Sequence, residues 1–114
     1  MKEGDVVLVP LPQADGRIKN RPAIVLRAMP PFGDLLICGV STQLHQQVAR
    51  FDELIEPSHA DFNASGIKAA SLIRLGFLAV LPAASFLGVI GSISAERHHR
   101  LVERLANHIR TTTA

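Results

Sequence analysis

Apolar residues arrive in short blocks punctuated by breakers, the pattern of strands. Val6, Val7, Leu8 and Val9 run into Pro10 and Pro12. A loop over residues 13–20 carries an Asp15-Gly16 turn signal, and Ala23, Ile24, Val25 and Leu26 then follow Pro22. Pro30, Pro31, Gly33 and Asp34 mark the next turn, after which a run from Leu35 to Val40 ends at Ser41 and Thr42. A weaker strand is expected at Phe51–Ile55, a helical turn around Pro57–Asn63, and one strand or two within Gly66–Arg74. Ser94 can cap a helix with Glu96 in its first turn, running to about Ile109. Leu101, Val102, Leu105 and Ile109 recur there at helical spacing, with Arg97, Arg100, Glu103, Arg104 and Arg110 on other faces. Residues 111–114 read as a frayed tail.

None of the first three runs alternates between apolar and polar, so each is expected to be buried on both faces. A chain of 114 residues holds one modest core. Either the sheet closes into a small barrel with a helix outside it, or a second copy covers one face, or both. The expected fold is therefore mainly β (α+β): a small antiparallel β-barrel over about residues 4–93 with a C-terminal helix over about 95–109, in a single domain spanning 1–114.

The 21 residues from Leu75 to Ala95 carry no charge, a length that can cross a bilayer. Pro82, Gly76, Gly88, Gly91, Ser92 and Ser94 interrupt them. They read instead as strands at Phe77–Leu81 and Phe86–Ile90 around a Pro82–Ser85 turn, and no membrane association is expected.

Composition narrows the class. A 47% hydrophobic content with 12 basic and 10 acidic residues excludes a disordered chain. The single cysteine, Cys38, excludes a disulfide framework or a Cys-based zinc site within one chain and fits a reducing compartment. Lys2, Glu3 and Asp5 stand where a signal peptide would need apolar residues, so a cytoplasmic protein is expected. Arg17, Lys19 and Arg21 fall within five residues on a weakly charged chain, which suggests one anionic ligand site, although a solvated loop has the same look. Adjacent histidines on a helix point apart, so His98 and His99 read as surface residues, and no metal or cofactor is expected.

Gly4-Asp5-Val6-Val7-Leu8-Val9, followed by Lys19-Asn20-Arg21-Pro22-Ala23-Ile24-Val25-Leu26, resembles the opening of the MazF/PemK-like toxin family. Val40-Ser41-Thr42, Gly66-Ile67-Lys68, Ser71-Leu72-Ile73-Arg74 and Ile90-Gly91-Ser92-Ile93-Ser94 fit the same family in the same order. The resemblance implies a dimeric SH3-like barrel of the kind shared with CcdB gyrase poisons. It also implies a cytoplasmic, metal-independent, sequence-specific endoribonuclease that cuts single-stranded RNA, leaving a 2′,3′-cyclic phosphate and a 5′-hydroxyl. The implied partner is a cognate antitoxin, with which such toxins bind DNA.

On that resemblance Arg21 is the catalytic arginine of an Arg-Pro motif. Pro22 holds its backbone extended, and its planar cation suits a phosphorane gaining charge. Ser41 and Thr42 match the hydroxyl pair closing the third strand, which threonine usually leads. Arg17, Lys19, His45, Ser71 and Arg74 are expected to contact RNA, and Asp15 and His45 are candidates for the general base. Many relatives carry an Asp-Lys pair two residues after the late arginine, where this chain has Leu75-Gly76-Phe77. The rival reading is a catalytically decayed module of the same fold, binding an antitoxin or a CcdB-like protein target.

Overall fold

Each apolar block forms a strand, and most strands outgrow their blocks. The computed structural model describes residues 1–111, so the tail from residue 112 lies outside the described residues. Strands β1 (Asp5–Pro12), β2 (Ile18–Met29) and β3 (Asp34–Ser41) are followed by β4 (Glu53–Ile55), the short helix α1 (Phe62–Ser65), β5 (Ser71–Leu81), β6 (Gly88–Ser92) and helix α2 (Ala95–Arg110). The six strands form one antiparallel sheet in the order β4-β5-β3-β2-β1-β6, curled on itself with α2 at the C-terminal end. This is the mainly β, barrel-like architecture the pattern predicts. The uncharged stretch does become the end of β5, a 3₁₀ turn and β6, and no helix among the described residues is long and apolar enough to cross a membrane. Within Gly66–Arg74 only the last four residues are strand, as the start of β5.

The prolines expected to stop β1 lie inside it. Leu8 turns its carbonyl outward to accept from the Leu87 N–H at 2.9 Å. Pro10 and Pro12, two and four residues on, therefore turn the same way. β6 pairs only with Asp5–Leu8, so past that point the outer edge of β1 has no ladder for a missing N–H to break.

Continuous apolar runs resolve into two cores. Val6, Ile24, Leu26, Cys38, Val40, Ile73 and Leu75 pack on one side of the sheet with Ile55, Phe62, Ile67, Ile93 and the α2 residues Leu101 and Leu105. Val7, Val9, Ala23, Val25, Leu35 and Ile37 pack on the other with Phe86, and Leu11, Ala79 and Leu81 sit at the rim. The chain thus covers both faces itself, so its apolar strands do not by themselves require a second copy. Burial pushes the Cys38 thiol up to about 12, which leaves it without thiolate chemistry.

Closure of the curl falls to two glycines. The edge strands β4 and β6 do not pair with each other, and the α1 turn lies against β6 instead. A Cβ on Gly91 would stand 2.2 Å from the Ala64 carbonyl oxygen, and one on Gly66 (φ 74) would stand 2.3 Å from that of Ile90. Backbone meets backbone there, and no side chain fits between.

Helix α2 starts as predicted, with Ser94 Oγ accepting from the Arg97 N–H at 3.1 Å. Arg97 itself is a correction: expected on an outer face, it is 4% exposed. It shares the stripe of Leu101 and Leu105 because the spacing is i, i+4, i+8. Its guanidinium donates to Glu53 Oε1 (2.8 Å), to the Leu54 carbonyl (2.9 Å) and to both oxygens of Asp61 (2.8 and 3.0 Å). Arg100 and Arg104 reach Glu53 at 2.8 and 3.2 Å, and Asp61 also accepts from the Ser94 N–H at 3.0 Å. Buried carboxylates need such partners, and these join α2 to β4 and α1. His98, expected on the surface, is half-buried, with Nε2 at 2.8 Å from the Leu26 carbonyl oxygen. Ile109, assigned to the buried stripe, is exposed, as is every described residue from Ala106 onward, so the last turn runs past the core.

Two outcomes follow for stability. Gly91→Ala should cost about 1–3 kcal/mol by forcing α1 off β6, whereas Gly76→Ala, whose Cβ would meet only Phe51 at 3.9 Å, should change the urea midpoint little. Hydrogen bonds from Arg97 lower the Asp61 carboxyl to about 2, despite some desolvation. A depressed carboxylate stabilises the fold above its unfolded value of about 3.9, and that contribution disappears as pH falls toward 2. The urea midpoint should accordingly drop more steeply between pH 4 and pH 2 in the wild type than in Asp61→Asn.

Candidate functional site

Strand alternation gathers the polar residues at one end of the second core. Arg21, Ala23 and Val25 share a face of β2, and on β3 Gly39 stands opposite Ala23, with Ile37 and Ser41 two residues to either side. Arg74 on β5 stands opposite Gly39. Moving along this face, Val25 and Ile37 give way to Arg21, Ser41 and Arg74. With Gln13, Gln43 and Phe77 these three line a cleft of about 270 Å³.

Phe77 reaches the cleft through a bulge. The β3–β5 register steps from Cys38↔Leu78 to Gly39↔Arg74, so Leu75, Gly76 and Phe77 are extra residues on β5. Leu75 turns into the core, while the Phe77 ring lies over Gly39, where a Cβ would come within 2.7 Å of it. The ring remains 43% exposed and is the single aromatic side chain lining the cleft among the described residues. The segment that departs from the expected Asp-Lys pair thus supplies an aromatic face.

A larger cleft, about 840 Å³, lies between β4, α1 and the start of α2. Charge decides between the two. The larger is lined by Arg97, Arg100 and Arg104 together with Glu53, Asp61 and Glu96, three cations against three carboxylates. All three arginines bond to Glu53, and Arg97 also to Asp61. Among the described residues the smaller is lined by Arg21 and Arg74 and by no carboxylate. Among the described residues neither forms an ion pair. An anion entering the smaller cleft therefore meets uncancelled positive charge.

Within the cleft, the Arg21 guanidinium donates from Nη2 to Gln13 Oε1 at 2.8 Å. Ser41 Oγ accepts from the Gln43 N–H at 3.1 Å, which occupies an acceptor position and leaves the hydroxyl proton available. Of the residues that the resemblance singles out, Arg21, Ser41 and Arg74 line this one cleft. The other predicted residues do not line the cleft. Thr42 is exposed one residue past Ser41, and His45 is exposed on a 3₁₀ turn (Leu44–Gln46). Arg17 and Lys19 are exposed on the β1–β2 hairpin. Ser71 is buried, donating to the Ala69 carbonyl at 2.8 Å. Asp15 accepts from the Arg17 N–H at 2.9 Å and pairs loosely with its guanidinium at 3.9 Å. The cleft thus contains neither candidate base.

Gln13 and Gln43 also line the cleft, although no motif in the sequence marks them. The Asp15-Gly16 signal holds the needed information for Gln13, since a hairpin centred there folds residues 9–13 back beside 17–21.

A family model described as the PemK-like, MazF-like toxin of type II toxin–antitoxin systems matches residues 2–109. Among solved structures, the chain is similar in fold to the Mycobacterium tuberculosis toxin MazF-mt6. The TM-score is 0.68 at 15% sequence identity, covering 96% of this chain and 99% of that one. No curated protein matches its sequence.

Proposed function

Because the chain belongs to the PemK-like, MazF-like toxin family of type II toxin–antitoxin systems, we propose that it is a metal-independent, sequence-specific endoribonuclease cutting single-stranded mRNA in the cytoplasm. One observation carries this reading: Arg21 and Arg74, unpaired with any carboxylate among the described residues, share a cleft with the Ser41 hydroxyl.

The chemistry asks little more of the protein. The RNA 2′-oxygen attacks the adjacent phosphorus, the bond to the 5′-oxygen breaks, and a 2′,3′-cyclic phosphate and a 5′-hydroxyl result. Charge builds on the non-bridging oxygens, where Arg21 supplies a planar, permanently charged donor and Ser41 a neutral one. With no carboxylate or histidine among the described residues lining the cleft, the 2′-proton leaves to water and the 5′-oxygen takes one from water. Rate enhancement then rests on positioning and electrostatic stabilisation. Arg74 holds a phosphate, and Phe77 offers its face to a neighbouring base, the usual platform for single strands. Arg17 and Lys19 extend the positive field along the hairpin, and Thr42 and His45 follow Ser41 where the RNA leaves.

The active form in this reading is a homodimer neutralised by a cognate antitoxin. Leu78 and Val80 of β5, Leu87, and Val89 and Ile90 of β6 are exposed, which supports a further apolar contact outside the two cores.

Cleavage should persist in EDTA and leave 5′-hydroxyl ends when products from a long RNA are mapped; loss on chelation would sink the metal-free mechanism. Arg21→Ala should lower the rate by about 10²-fold or more at matched melting temperature, and Ser41→Ala by less. Equal rates in wild type and Arg21→Ala would place the chemistry elsewhere. A wild type that cuts nothing yet binds an acidic antitoxin segment would favour the interaction module. Sedimentation at micromolar concentration should give a dimer, and a stable monomer would overturn the homodimer reading.

A further inference from the structure

Gln13 is held from three directions. Its N–H donates to the Arg17 carbonyl at 2.7 Å, and its own carbonyl accepts from the Gly16 N–H at 3.0 Å. These bonds close the tip of the β1–β2 hairpin, where Gly16 takes φ 83. Its side-chain Nε2 donates to the Leu11 carbonyl at 3.0 Å. That bond fixes which way the amide points. With Nε2 committed to a carbonyl, Oε1 is left facing Arg21, from whose Nη2 it accepts at 2.8 Å. Flipped, the amide would set oxygen against oxygen at Leu11 and donor against donor at Arg21. Only one orientation satisfies both ends.

We infer that Gln13 is the positioning residue of the cleft: a neutral acceptor that orients the Arg21 guanidinium without discharging it. The inference rests on the ribonuclease reading above for what that orientation serves. A carboxylate at this position would hold the guanidinium equally well and cancel its charge. The amide uses one of five guanidinium N–H donors and leaves the other four, with the full positive charge, for phosphate. Orientation has catalytic value because a misplacement near 1 Å can cost about 10²-fold in rate. The hairpin turn is thereby part of the active site, because its backbone bonds set where Gln13 stands.

Two variants separate orientation from charge. Gln13→Met keeps the length and removes the acceptor; Gln13→Glu keeps the acceptor and adds a charge. Three quantities are read: kcat on a cleavable RNA, Kd for the same sequence with a 2′-deoxynucleotide at the mapped cut, and the NMR order parameter of the Arg21 Nε–Hε bond. Gln13→Met should lower the order parameter and reduce kcat by about 10- to 100-fold with Kd nearly unchanged. Gln13→Glu should keep Arg21 ordered but weaken RNA binding, and the slope of log K against log salt should fall by about 0.7, the loss of one phosphate contact on a single strand. An unchanged order parameter and kcat in Gln13→Met would overturn the inference, as would a Gln13→Glu variant that binds with the wild-type salt slope. A wild type unable to cut RNA would overturn the ribonuclease reading, and the Arg21 order parameter in Gln13→Met would still decide whether Gln13 holds the guanidinium.

Discussion

Strands β1, β2 and β3 present apolar side chains on both faces, and everything else in the molecule answers that demand. One face receives α2 and the α1 region, with Leu101 and Leu105 pressed onto Ile24, Leu26 and Ile73. The other is covered by curling the sheet until β5 and the segment around Phe86 close over Val7, Val25 and Ile37. The curl leaves β4 and β6 as edges, and the Gly66 and Gly91 contacts let the α1 turn lie directly against β6. A short chain gains two small cores in this way. The second core has an open end, and the polar residues of the same faces collect there.

Arginine serves two ends in this fold, and location decides which. Arg97 is buried between Glu53 and Asp61, where its charge is spent on holding a helix to the sheet. Removing one partner from such a group is costly because the remaining charge stays buried. Arg21 and Arg74 sit at the mouth of the second core, and among the described residues no carboxylate lines their cleft. Their desolvation is partial, and their field is directed into a small concave space. The larger cleft thereby has balanced charge, and the smaller one leaves the charge of two arginines uncancelled among the described residues.

The bulge on β5 falls where the family resemblance led an Asp-Lys pair to be expected. Three extra residues send Leu75 inward and Phe77 outward, and Gly39 makes the room the ring needs. An aromatic face takes a place expected for an acid and a base. Among the described residues the cleft lining holds no carboxylate or histidine, so in the ribonuclease reading proposed above the cleft would act through binding, orientation and charge. Gln13 fits that reading, since it accepts a hydrogen bond from Arg21 and brings no charge.

Local rules determined much of this protein from its sequence alone. Strand blocks, the two-sided burial, the Ser94 cap and the extended Arg21-Pro22 pair depend on periodicity and on neighbours a few residues away, and all were legible. Ser41 at the end of β3 and Arg74 on the late strand were legible for the same reason. What tertiary structure decided are the contacts that span the curl. Arg97 meets Glu53 and Asp61 across 44 and 36 residues, so its helical position suggested solvent although its packing buries it. Ser71 turns its hydroxyl back to Ala69 instead of toward the cleft. Pro10 and Pro12 are tolerated only because β6 ends its pairing at Leu8. Gln13 reaches Arg21 through the hairpin register, which pairs Val9 with Arg21 and brings the loop alongside. A side chain's local period states which way it points, and only the curl of the sheet states what it meets there.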